Sequence, residues 1–167
     1  MLIEMKISGL TVDPFTNMPI VILKDLEDKN SLPIWIGILE ASAIATELEQ
    51  IVLSRPMTHD LLKNILDTLN IRVDRIVVTD LRDNTFYANI FLQIDEKEIM
   101  IDARPSDSLA LALRTGAPIW VEKEVIDKSK KIDLGQMDGV EGTEMDKEKW
   151  AEILENLSPK DFGKYKM

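Results

Sequence analysis

A chain of 167 residues, 45% hydrophobic and 30% charged, has room for one domain with its own core and is not composed like a disordered protein. It has no cysteine, so it forms neither disulfides nor thiolate metal sites. Its 20 basic and 30 acidic side chains give a formal net charge of −10, which excludes a broad basic face that grips phosphate backbones by counterion release; any nucleic acid must be met at a local site.

The amino-terminal stretch MLIEMKISGL carries charges among its apolar residues and has no long hydrophobic run, so no signal peptide is expected. No run approaches the roughly 18 apolar residues that a membrane span needs. A cytoplasmic protein with no membrane partner is the expectation. MKISGLTV, PIVILKDL and LPIWIG are rich in β-branched and aromatic residues, and turn signals at Asp13-Pro14, Asn17 and Asp28 to Ser31 separate them, which predicts an antiparallel meander. After Gly37, EASAIATELEQIVL places Ala41, Ile44, Ala45, Leu48, Ile51 and Val52 at helical spacing. Arg55-Pro56 ends that helix. Thr58 then offers an N-cap for HDLLKNILDTLN, with Leu61, Leu62, Ile65, Leu66 and Leu69 as a buried stripe.

Three more strands follow, RVDRIVVTDL, TFYANIFLQI and KEIMIDA, joined by turns at residues 82–84 and at Asp95-Glu96. In the middle strand Phe86, Ala88, Ile90 and Leu92 share one face, and Tyr87, Asn89 and Phe91 the other. Ser106 is placed to cap a third helix that Gly116 stops, and APIWV is a last strand. The pattern is α+β: a mixed, largely antiparallel sheet with helices packed on it. Residues 1–126 form the domain. Residues 127–144, polar and glycine-containing, read as a flexible linker, and residues 145–167 as a short amphipathic helix and tail, with Trp150, Ile153, Leu154 and Leu157 on one stripe.

Chemistry-bearing residues gather where helices begin. His59, the one histidine, falls in a first helical turn, where the dipole disfavours a cation and so favours the neutral imidazole of a ligand or general base. Asp60 beside it suits the dipole whatever its task. Asp102 and Arg104 stand two apart at a strand end, and Asp107 lies in the next first turn, within chain reach of Arg104. Glu40 opens the first helix. A structural corner, with Arg104 pairing a carboxylate and Ser106 capping, explains the same residue types without any activity. If instead the three helix starts converge, Glu40, His59, Asp102 and Asp107 offer the oxygen-and-imidazole set that suits Mg²⁺ or Mn²⁺. The chain contains no P-loop, dinucleotide-binding, zinc-protease or nucleophile-elbow motif.

LPIWIG with EASAIA, then RPMTHDLL, TFYA, and DARPSDSLALAL with APIWV resemble, in the same order, the blocks of the bifunctional nuclease domain family, from about Met1 to Ile126. The tail ENLSPKDF is similar to the short C-terminal segment of many bacterial members. The resemblance implies an α+β domain like that of dimeric members, hence a homodimer, and a nuclease activity on DNA and RNA of the kind attributed to plant members. Its motif positions here are Glu40, Arg55, Thr58, His59, Asp60, Arg104, Pro105, Ser106 and Asp107. Two functions are therefore expected in competition. In the first, a nuclease works with metal on Glu40, Asp102 or Asp107, with His59 as ligand or base aided by Asp60, and with Arg55 or Arg104 on the phosphate. In the second, a non-catalytic dimeric binding or regulatory module uses the same polar residues as structural corners.

Overall fold

The computed structural model describes residues 1–133. Seven strands form one sheet: β1 (Leu2–Val12), β2 (Pro19–Asp25), β3 (Ser31–Trp35), β4 (Arg72–Arg82), β5 (Thr85–Ile94), β6 (Lys97–Ala103) and β7 (Ile119–Glu122). Helices α1 (Ile38–Leu48) and α2 (Thr58–Thr68) lie between β3 and β4 in the chain, α3 (Pro105–Thr115) lies between β6 and β7, and α4 (Lys123–Asp133) follows β7. The fold is α+β, and the spatial strand order is β3-β2-β1-β7-β4-β5-β6.

Two antiparallel meanders, β1-β2-β3 and β4-β5-β6, are built from local hairpins. The hairpin between β4 and β5 turns on Asp83 and Asn84, both left-handed at φ 50° and 58°, as a two-residue turn matched to strand twist requires. The strand β7 joins the two halves. It runs antiparallel to β1, with Ile3 opposite Val121, and parallel to β4, with Val77 opposite Trp120. Parallel pairing needs a long crossover, and the chain through β5, β6 and α3 supplies it.

The helix α3 is the centre of the molecule. Leu109, Ala110, Leu111 and Ala112 are all buried, because α3 touches α1, α2, β4 and β5. A fully buried leucine contributes about 1.5–3 kcal/mol, so this helix has little freedom to shift. The small alanines let its neighbours approach closely. Gly116 ends it in the left-handed conformation at φ 72°. In β5, Ala88, Ile90 and Leu92 are buried and Phe86 is partly so, on the face expected for them.

Three expectations are corrected. The first helix stops at Leu48; Ile51 and Val52 belong to the connection and are exposed. In α2 only Leu66 of the expected stripe is buried, and Leu61, Leu62, Ile65 and Leu69 are exposed, because no second layer covers that side of the helix among the described residues. Residues 127–133, expected to begin a flexible linker, continue α4, which buries Val125, Ile126 and Ser129 and ties Lys128 to Asp80 at 2.8 Å. The alternation of lysines with polar residues there hid a helix with a narrow apolar stripe. The rest of the expected linker and the 145–167 helix and tail lie outside the described residues.

Candidate functional site

Three helices begin at the same place. The N-cap of α1 is Gly37, whose missing side chain leaves space for the Glu40 carboxylate to fold back over the helix start. The N-cap of α2 is Met57, one residue before the expected Thr58, because the cap comes from inside the helix: the Met57 N–H donates to Asp60 Oδ2 at 2.9 Å. The N-cap of α3 is Arg104 rather than Ser106. Pro105 follows at the first helical position, where its missing N–H costs nothing. Ser106 is buried, and the hydroxyl that engages the cap residue is that of Ser108, which donates to the Arg104 carbonyl at 3.1 Å.

Across these starts the side chains meet. Asp107 Oδ1 accepts from His59 Nε2 at 3.0 Å, and Asp107 Oδ2 accepts from Arg104 Nε at 2.9 Å. A further Arg104 N–H, on Nη2, reaches Asp107 Oδ1 at 3.3 Å. Arg104 Nη1 donates to Glu40 Oε1 at 2.9 Å, which brings in α1. With Asp107 accepting, His59 Nε2 carries its proton, and Nδ1 is left as the lone-pair nitrogen of the neutral ring. These groups line a cleft of about 530 Å³, together with Thr58 and Arg114 and with an apolar wall of Leu39, Leu53 and Met57. His59 is largely buried, its side chain 13% exposed, while Arg104 stands in solvent at 64%.

Electrostatics favours ionised carboxylates here. Burial pushes the Asp107 carboxyl up, but hydrogen bonds from Arg104 and His59 outweigh it and hold the group below its ordinary range. Asp60 behaves alike: burial raises it, and the Met57 N–H and Arg114 bring it below. Arg104 is raised, first by Asp107 and then by Glu40. The amino-terminal turns of α2 and α3 add a favourable dipole to both aspartates.

The remaining expected residues stand apart. Asp102 pairs with Asn89 across β5 and β6, on the face opposite to Ala88 and Ile90, and does not line the cleft. Arg104 does not share its face, because the strand has ended at Ala103 and Arg104 is already a helix cap. Arg55 is exposed in the connection between α1 and α2, and it too is absent from the lining. Asp60 is absent from the lining and pairs with Arg114, whose Nε donates to Asp60 Oδ1 at 2.6 Å. Among the described residues no three His, Asp or Glu side chains close on a common point that could hold a metal ion. Glu40 and Asp107 have the right chemistry for Mg²⁺ or Mn²⁺, but Arg104 occupies both and Asp102 is elsewhere, so the cleft as it stands does not fit such an ion. Sequence reasoning missed Arg114. Its one signal was an arginine in the last turn before a helix-ending glycine, which suits the dipole at any helix end.

No helix among the described residues is long and apolar enough to cross a membrane. A family model described as bifunctional nuclease domain matches residues 21–133. A Mycobacterium tuberculosis protein described as uncharacterized is 37% identical over 162 residues, 95% of this chain and 97% of its own length. Bifunctional nuclease 2 of Arabidopsis thaliana is 27% identical over 141 residues, which cover 76% of this chain and 43% of that protein. Bifunctional nuclease 1 of Oryza sativa subsp. indica is 26% identical over 110 residues, 63% of this chain and 33% of its own length. The match thus takes in less than half of either plant protein.

Proposed function

Because the chain belongs to the bifunctional nuclease domain family, we propose that the cleft at the three helix starts hydrolyses phosphodiester bonds in DNA and RNA. One observation carries the reading: a histidine reachable from a cleft, its ring oriented by an ionised aspartate, stands beside an exposed guanidinium. In the proposed reaction His59 Nδ1 takes a proton from water as the water oxygen attacks phosphorus, and the leaving oxygen departs with the bonding pair and takes up a proton from solvent. Asp107 keeps the ring in the productive tautomer and stabilises the imidazolium that forms. Arg104 has five N–H groups and spends three on Asp107 and Glu40. Among the described residues nothing takes the other two, which would hold the phosphoryl oxygens and their growing charge. Such local recognition is compatible with a net charge of −10, since the cleft needs to hold one phosphate rather than a backbone.

The competing reading, a binding module without chemistry, draws support from the pairing of Arg104 with two carboxylates of its own chain. Cleavage of single-stranded RNA and DNA by the purified protein separates the two, with and without Mg²⁺, Mn²⁺ or a chelator and with His59→Ala and Asp107→Asn alongside. Cleavage that both substitutions abolish supports the nuclease; residual cleavage equal in all three removes it. Metal dependence would mean that cation entry displaces Arg104 from Glu40 and Asp107, and a chelator-insensitive rate would exclude that.

A homodimer is part of the proposal. Among the described residues Leu61, Leu62, Ile65 and Leu69 on α2 and Ile99, Met100 and Ile101 on the edge strand β6 are exposed, and a second copy of the chain would cover such apolar side chains.

A further inference from the structure

We propose that Arg114 is the positioning residue of the cleft: its single guanidinium sets α1 and α2 against α3, and the contact between His59 and Asp107 depends on it. The proposal rests on the hydrolytic reading of that cleft. Arg114 sits in the last turn of α3, its side chain only 3% exposed, and all three of its nitrogens are engaged. Nε donates to Asp60 Oδ1 of α2 at 2.6 Å, Nη2 to the Ala43 carbonyl of α1 at 3.0 Å, and Nη1 to the Ala110 carbonyl of α3 itself at 2.9 Å. Each tie lies next to a group of the cleft. Asp60 follows His59 directly, and its second oxygen holds the first N–H of the α2 start at Met57. Ala43 lies one turn beyond Glu40, and Ala110 one turn beyond Asp107.

Apolar packing cannot do this for α2. Leu66 is its one buried residue, while Leu61, Leu62 and Ile65 on the turns nearer the cleft are exposed. The amino-terminal half of α2, which carries His59, is therefore placed by two polar contacts, Asp60 to Arg114 and His59 to Asp107. Of these only the first is shielded from water on the arginine side. The planar fork of an arginine reaches three acceptors on three helices at once; the point charge of a lysine does not.

The sole histidine makes the test unambiguous, since one imidazole N–H resonance reports the contact. The His59 Nε2–H signal and its exchange with solvent are followed by ¹⁵N-edited NMR in the wild type, Arg114→Lys and Asp60→Asn, with far-UV circular dichroism to confirm folding. Val125→Ala, in the core under α4, serves as a destabilised control. The expected result is a protected N–H in the wild type and in Val125→Ala, and exchange faster by about tenfold or more in the two tie variants at unchanged helix content. A folded Arg114→Lys or Asp60→Asn with wild-type exchange overturns the proposal, as does a wild-type N–H that is already unprotected. Should Arg114→Lys fail to fold, Asp60→Asn decides alone, because asparagine still accepts from Met57 but breaks the ion pair. Cleavage assays on the same samples keep the two claims apart: if His59→Ala cleaves like the wild type, the hydrolytic reading fails whatever the N–H shows.

Discussion

The two arginines of α3 stand at its opposite ends and meet the same kind of partner in different surroundings. Arg104, at the start, pairs with Asp107 and Glu40 with its side chain 64% exposed; Arg114, at the end, pairs with Asp60 at 3%. Water decides what each ion pair is worth. An exposed pair is screened and contributes little to stability, whereas an arginine sealed among three helices leaves unsatisfied acceptors behind when it is removed. Among the described residues the same geometry leaves Arg104 two spare N–H groups at the mouth of a cleft, while the Arg114 side chain is sealed from solvent. One end of the helix is built to hold the molecule together, and the other is open to a ligand.

The largest effect expected from this contrast is on stability. Arg114→Ala should lower the unfolding free energy by about 3 kcal/mol in urea titrations, as loss of one partner of a buried pair does. Arg104→Ala should stay within about 1 kcal/mol of the wild type. Equal losses would erase the distinction between the two ends. In cleavage assays Arg104→Ala should nonetheless lose on the order of 10² in rate, the scale of one donor to a developing oxyanion.

Acid should act next. Asp60 and Asp107 are both held below their ordinary range, so each contributes stability that is fully present above the unfolded-chain value of about 4 and is lost as pH falls through the lowered folded value. Thermal melts between pH 6 and 2 should therefore decline more steeply for the wild type than for Asp60→Asn or Asp107→Asn. Parallel curves would mean that the carboxylates are not held as described.

The smallest effect on the fold lies away from both arginines, on the apolar side of α2. Ile65→Ser and Leu69→Ser should each change the stability of a monomer by no more than about 0.5 kcal/mol. In sedimentation velocity the same substitutions should turn the proposed dimer into monomers. An unchanged sedimentation coefficient would show that α2 is not the contact.

Much of this was legible in the residues. The strands came from alternation and turn chemistry, and the starts of the helices, to within two residues, from Gly37 and from the hydroxyls of Thr58 and Ser106. The bifunctional nuclease domain resemblance placed Glu40, His59, Arg104 and Asp107 in blocks that the fold brings together. What could not be read was non-local. Periodicity marks Leu61, Ile65 and Leu69 as one face of a helix, but it is silent on whether anything covers that face. The same spacing of two put Asp102 and Arg104 on one side of a strand, although the strand ends between them. The role of Arg114 depends on the carbonyl of Ala43, 71 positions away, which no local pattern encodes.

The most direct test is the rate at which purified protein cleaves single-stranded RNA and DNA with His59 present and with His59→Ala. The account predicts cleavage by the wild type and a loss of about 10² or more in the variant, the usual contribution of a positioned general base. Identical rates, or a wild type that cleaves no faster than buffer, would contradict it.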